Sequence, residues 1–109
     1  MQNTYAMAEL WWPAGLESSL QAGRLCTPAS FESDIERNWS FYVWLDKPIV
    51  AGGFATVPVM PLVSEVAEEL LKPNAEFRLF IKPNIYANGR VISVKQASAE
   101  DLRCVFHFC

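Results

Sequence analysis

Histidine is nearly absent from this 109-residue chain, where His107 stands alone. Imidazole acid–base catalysis therefore has one candidate position. No Gly-x-Ser-x-Gly elbow or Cys-Gly-x-Cys context supplies a nucleophile for it to activate. His107 is read as a hydrogen-bonded strand residue near the C-terminus. Phosphate cradles are missing too: neither Gly-x-x-x-x-Gly-Lys-[Ser/Thr] nor Gly-x-Gly-x-x-Gly occurs, which excludes nucleotide hydrolysis on such loops. Cysteine is scarce and odd in number, with Cys26, Cys104 and Cys109 lacking any framework spacing. Thiols packed as small hydrophobes in a reducing cytoplasm are the expectation. The first basic residue is Arg24, so a charged secretory leader is not expected. The longest uncharged run, Pro48 to Ser64, is interrupted by Pro58, Pro61 and Gly52–Gly53 and is too short to span a membrane.

Metal chemistry is discounted on geometry. On a regular strand Cys104 would share a face with Phe106 and Phe108, while His107 and Cys109 would share the other. These three cannot meet one zinc, and no Cys-x-x-Cys partner occurs elsewhere. Glu32, Asp34 and Glu36 alternate, but the glycine and downstream bidentate Glu of a calcium loop are lacking, so an acidic solvated loop is expected. No metal, cofactor or catalytic residue is assigned, and an enzyme is not expected.

What is present is apolar and aromatic: 51% of residues are hydrophobic and 13% aromatic, with a formal net charge of −3. The length fits one domain, 1–109, able to bury its own core. Charge is uneven along it. Residues 1–75 hold four basic groups against nine acidic, a balance of −5, and residues 76–109 hold five against three, a balance of +2.

Frequent turn signals, among them Lys47–Pro48, Gly52–Gly53, Lys72–Pro73–Asn74, Lys82–Pro83–Asn84 and Asn88–Gly89, separate short aromatic and β-branched runs. They predict an all-β barrel or sandwich. Candidate strands are 7–12, 24–27, 39–45, 54–60, 76–82, 90–96 and 103–108. Trp39, Phe41, Val43 and Leu45 fall on one face of their strand, and Ser40, Tyr42 and Trp44 on the other. Phe77, Leu79 and Ile81 oppose Glu76, Arg78, Phe80 and Lys82. Asn88–Gly89 is the strongest hairpin signal, a type I′ turn. One short helix near 63–71 is expected, because Val63, Val66, Ala67, Leu70 and Leu71 share a stripe opposite Glu65, Glu68 and Glu69. It is bounded by Pro61 and Pro73 and should plug a barrel end. Its acidic polar face disfavours a membrane-surface role.

The second half resembles the β-barrel third domain of elongation factor Tu. The run Leu45 to Met60, with Gly52–Gly53 leading into alternating Phe54, Thr56 and Pro58, is similar to one portion of it. Leu71-Lys72-Pro73-Asn74 followed by Phe77 and Ile81 resembles the family's L-x-P-G-x-x-F-x-I-R strand. Asn88-Gly89-Arg90 with Val94 resembles its Gly-Gly-Arg-x-x-Gly-x-Gly-x-Val strand, and Ala8–Trp11 followed by Thr27–Pro28 sits where the family has its first strand and a Thr-Pro. The likeness covers about residues 8 to 95. It implies a small six-stranded antiparallel β-barrel. Departures accompany it: no GTP-binding domain is contained here, and Ala29–Asp34 replaces a basic aromatic stretch with acidic groups that would repel tRNA. Ser93 and Asn74 replace glycines, and Asn at 74 still tolerates the left-handed conformation. A free-standing relative adapted to another partner is implied.

Three functions are carried forward. The favoured one is a non-catalytic module that binds a protein or a second copy of itself through exposed aromatics, with Trp11, Trp12 and Trp44 as candidates. Adjacent Trp11 and Trp12 must face opposite ways on a strand, so one anchors the core and the other meets solvent or a partner. The alternative is RNA binding through Arg78, Lys82, Arg90 and Lys95 with Phe80 or Tyr86 stacking, which the acidic whole disfavours. The last is a small ligand in the barrel mouth, although so small a barrel fills with side chains.

Overall fold

The computed structural model describes residues 2–15, 19–82 and 85–106. Six strands are formed: β1 (Gln2–Trp11), β2 (Gly23–Phe31), β3 (Asp34–Leu45), β4 (Phe54–Pro61), β5 (Glu76–Lys82) and β6 (Ile85–Ser98). They close into a barrel of order β1-β4-β3-β2-β5-β6, every neighbouring pair antiparallel. The all-β six-stranded expectation is met.

Alternation explains the interior. Phe41, Val43 and Leu45 of β3, and Phe77 and Leu79 of β5, are fully buried, as the period-two pattern requires. A six-stranded barrel is narrow, so large and small side chains must alternate around its wall. Phe31, Phe41 and Phe77 supply the bulk: Phe31 stacks on Phe77 with ring centroids 5.0 Å apart and lies 5.3 Å from Phe41. Their space comes from β1 and β6, which present buried Ala6, Ala8, Ala87 and Gly89. The wall is not paired evenly. Pairing of β2 to β5 stops at Ala29–Leu79, and beyond it the buried Thr27 hydroxyl donates to the Phe80 carbonyl at 2.6 Å.

Both barrel ends are plugged by segments that follow antiparallel strands. After β1, Trp12 is buried with Leu20 and Ile49, and these join the main core. Leu20 and Ile49 exchange backbone hydrogen bonds of 2.8 and 2.9 Å. After β4, a 3-10 turn (Ser64–Val66) runs into α1 (Ala67–Leu70), and Val66, Ala67, Leu70 and Leu71 enter the same core. The helix near 63–71 is thus present in shorter form, with Val63 left exposed before it. Its exit is the turn Lys72–Pro73–Asn74–Ala75. Asn74 has φ +70°, and the Ala75 N–H donates to the Lys72 carbonyl at 2.9 Å, as in a type II turn.

Two expectations are overturned. Asn88–Gly89 is not a hairpin turn. It lies inside β6, paired to Arg78 and Phe77 on one side and to Trp11 and Leu10 on the other. Strand β5 ends at Lys82 and β6 begins at Ile85, and residues 83–84 lie outside the described residues. Glycine occupies 89 because the Phe77 ring lies where its Cβ would be. The strand expected at 103–108 is instead the end of α2 (Ala99–Phe106). Ser98 and Asp101 make a capping box, the Ser98 hydroxyl donating to Asp101 Oδ2 at 2.9 Å and accepting from the Asp101 N–H at 3.2 Å. Leu102, Val105 and Phe106 then fall at i, i+3 and i+4 and pack on Tyr5, Tyr42, Trp44, Met60 and Ala97 outside the barrel. Cys104, expected to share a face with Phe106, is exposed whereas Phe106 is buried, and Cys26 is exposed too, so neither thiol is packed as the small hydrophobe expected. His107, Phe108 and Cys109 lie outside the described residues.

The Gly89–Phe77 contact is testable. Gly89→Ala should lower stability by about 1–3 kcal/mol through overpacking, read by urea unfolding. In a Phe77→Leu background, which vacates that space, the same change should cost far less.

Candidate functional site

Cross-strand register assembles one row of side chains on the outer wall. Phe54 of β4 lies opposite Trp11 of β1, Trp11 opposite Asn88 of β6, Asn88 opposite Arg78 of β5, and Arg78 opposite Ser30 of β2. The row below is charged: Glu9 pairs with Arg90, and Arg90 with Glu76. Residues opposite each other on one sheet face have Cβ atoms about 4.5–5.5 Å apart, so each row is a line of contacts.

A groove of about 510 Å³ follows this surface. Trp11 forms one wall and Ile35 the far lip, with Asn88, Gly89, Phe77 and Arg78 between them and Ser30, Glu32 and Glu76 along the acidic side. Trp11 is half-buried, its ring 6.4 Å from that of Phe54, which is 65% exposed. The Arg90 guanidinium sits 5.9 Å from the Trp11 ring and 3.8 Å from a Glu9 carboxylate oxygen. Arg78 lies 4.8 Å from the Tyr86 ring, and Tyr86 meets Phe80 edge-on at 6.2 Å. The arginines are thus held by aromatic faces, which orient a guanidinium without neutralising it.

The lip is built by a break in pairing. Between Ala29 and Phe31 the β2–β3 register shifts, so Phe31 faces Asp34 while Ala29 faces Trp39. The spare residues bow outward and leave Ile35 72% exposed. Asp34 ties this bow together: it accepts from Arg37 Nε at 3.0 Å and from Trp39 Nε1 at 3.1 Å, and Arg37 lies 5.1 Å over the Trp39 ring. Of the expected acidic loop, Glu32 and Glu36 are exposed, whereas Asp34 is a structural tie.

The candidate binding residues are divided by this geometry. Trp11, Arg78 and Arg90 are brought together. Trp12 is core, at the end plugged with Leu20 and Ile49. Trp44 is half-buried under α2, its indole N–H donating to Asp46. The face of β3 expected to show aromatics to solvent is thereby used for packing. Lys82 is exposed at the end of β5, past the Arg78 position. Lys95 is exposed but pairs with Tyr5, six positions along β1 from Trp11 and about 20 Å away at strand spacing. The barrel mouths hold side chains, and the groove lies outside them. Asn88, Ser30, Ile35 and Phe54 were not picked out as site residues by sequence reasoning. Asn88 carried a usable signal, since its parity with Tyr86 and Arg90 puts it on their face once 88–89 is read as strand.

Among the described residues, no group of three or more His, Cys, Asp or Glu side chains could hold a metal ion. No family model matches the chain, and no curated protein matches it.

The Asp34 tie has a pH signature. Hydrogen bonds from Arg37 first and Trp39 second hold its carboxyl below the usual aspartate range. A carboxyl lowered in the folded state stabilises above the unfolded value, about 3.9, and the contribution is lost as pH falls through the folded value. Carboxyl-carbon NMR titration should therefore show Asp34 protonating below the usual aspartate value of about 3.9, and Trp39→Phe should raise its midpoint.

Proposed function

We propose that the chain is a non-catalytic binding module that docks a protein on the outer barrel face around Trp11. The observation that carries this reading is the Trp11 ring, half-buried between exposed Phe54 and Arg90 at the wall of the groove. Aromatic residues and arginine are enriched at the centres of protein interfaces, and here Trp11 and Arg78 line one concavity. A second copy of the chain would serve as such a partner, making self-association the same reading. The setting we propose is the cytoplasm, where exposed Cys26 and Cys104 stay reduced. We also read the barrel as a relative of the third domain of elongation factor Tu. Its six closed antiparallel strands support this, as does the left-handed Asn74 where that family has glycine.

One observation favours RNA as a second reading. Exposed Phe80 and Arg78 flank the half-buried Tyr86 ring in a stacking group, with Lys82 nearby. Glu9, Glu32 and Glu76 lie along the same face and repel a phosphate chain, so the protein reading is preferred.

Immobilised wild-type chain should retain a specific protein from native extract, or self-associate in sedimentation. Trp11→Ala should weaken that association about tenfold or more while unfolding cooperatively. Equal retention by the variant, or a strict monomer that retains nothing, overturns the proposal. A salt-dependent shift of single-stranded RNA abolished by Lys82→Glu would establish the second reading in its place.

A further inference from the structure

Arg78, which lines the groove, and Arg90, beside Trp11 in the next row, stand in different electrostatic settings. Arg90 lies in register between Glu9 and Glu76 and already meets Glu9 at 3.8 Å. Arg78 lies in register between Asn88 and Ser30, both uncharged. Among the described residues no carboxylate reaches it within ion-pair distance, and its guanidinium rests on the neutral face of Tyr86. The row Trp11–Asn88–Arg78–Ser30 therefore offers an amide, a guanidinium and a hydroxyl in sequence, with an apolar wall at one end.

Resting on the docking reading above, we infer that this row recognises one carboxylate of a peptide segment, with an apolar neighbour of the acidic residue lying against Trp11. Carboxylate geometry suits the planar fork of arginine, which can make two parallel charge-assisted bonds. Asn88 and Ser30 flank the guanidinium and can donate to the remaining lone pairs. The surroundings also limit how much negative charge fits. Glu32 and Glu76 line the same groove, so a second anion beside the first meets like charge. An isolated acidic side chain between apolar ones is thus matched, whereas a run of phosphates or of acidic residues is not. The apolar half of the recognition falls to Trp11, which shares the groove with the arginine. Ile35 at the far lip offers a second apolar contact on the other flank.

The test uses the full chain labelled with nitrogen-15 and three probes: acetylated, amidated Leu-Asp-Leu, its Leu-Asn-Leu counterpart, and an oligouridine. Leu-Asp-Leu at millimolar concentration should shift the Asn88 side-chain amide, the Trp11 indole and the Arg78 Nε–H resonances. Leu-Asn-Leu should bind about tenfold more weakly, equivalent to roughly 1.4 kcal/mol for the lost charge-assisted pair. Arg78→Gln, on the exposed face, should remove that difference while leaving the spectrum folded. Equal binding of both peptides at Trp11 overturns the carboxylate inference and leaves the docking reading standing. Shifts with neither peptide overturn the inference too, and if oligouridine alone shifts Tyr86 and Arg78 the docking reading falls with it.

Discussion

The Phe77 ring pressed against the bare backbone of Gly89 sets the terms for the rest of the barrel. A closed sheet of six strands encloses too little volume for a large side chain at every inward position. The chain places three phenylalanines on β2, β3 and β5 and faces them with alanine and glycine on β1 and β6. That division closes the barrel, since Phe77 and Gly89 are also direct partners across the β5–β6 ladder. It also fills the interior, so recognition has to be built on the outside.

The outside is in turn divided by α2. This helix lays Leu102, Val105 and Phe106 over Tyr5, Tyr42, Trp44 and Met60 and makes a second small core on one flank. Much of the aromatic surplus in the composition is accounted for there. What is left open lies toward the other end of β1, β4 and β6 and over β5, where Phe54, Trp11, Tyr86 and Phe80 lie among arginines and glutamates. One short capped helix thus decides which aromatic face belongs to folding and which is available to a partner.

Legibility in the sequence follows the strength of the competing local signals. Strands β3 and β5 were readable because their alternation is uninterrupted and the buried face is wholly apolar. Asn74 was readable because proline before it and a required left-handed turn leave few residue types. Asn88–Gly89 misled for a physical reason: the dipeptide that best tolerates positive φ is also the one that leaves room for a phenylalanine across a ladder. Nothing local separates these uses, since the deciding atom belongs to Phe77, twelve residues before Gly89. At the C-terminal end two patterns overlapped. Alternating Cys104, Phe106 and Phe108 suggests a strand, while Ser98-x-x-Asp101 is a helix-start signal, and the helix prevails. The groove itself was half legible. Trp11, Arg78 and Arg90 were chosen for residue type, but their meeting depends on register, and the lip at Ile35 depends on a bulge no pattern announces.

Charge shows the same dependence on placement. The +2 balance of residues 76–109 suggested a basic hairpin, yet its cations do not act together. Arg103 rides on α2, Lys95 sits beside Tyr5, and Arg90 is flanked by two glutamates in register. Only Arg78 and Lys82 belong to the open flank without an acid opposite them on the ladder. A surface with so few uncompensated cations, beside Glu32 and Glu76, cannot release the many counterions that give polyanion binding its strength. It can still orient one anionic group with high directionality, because arginine recognition depends on geometry as much as on net charge. For that reason the register of Arg78, more than the charge count of its segment, carries the chemical character of this face.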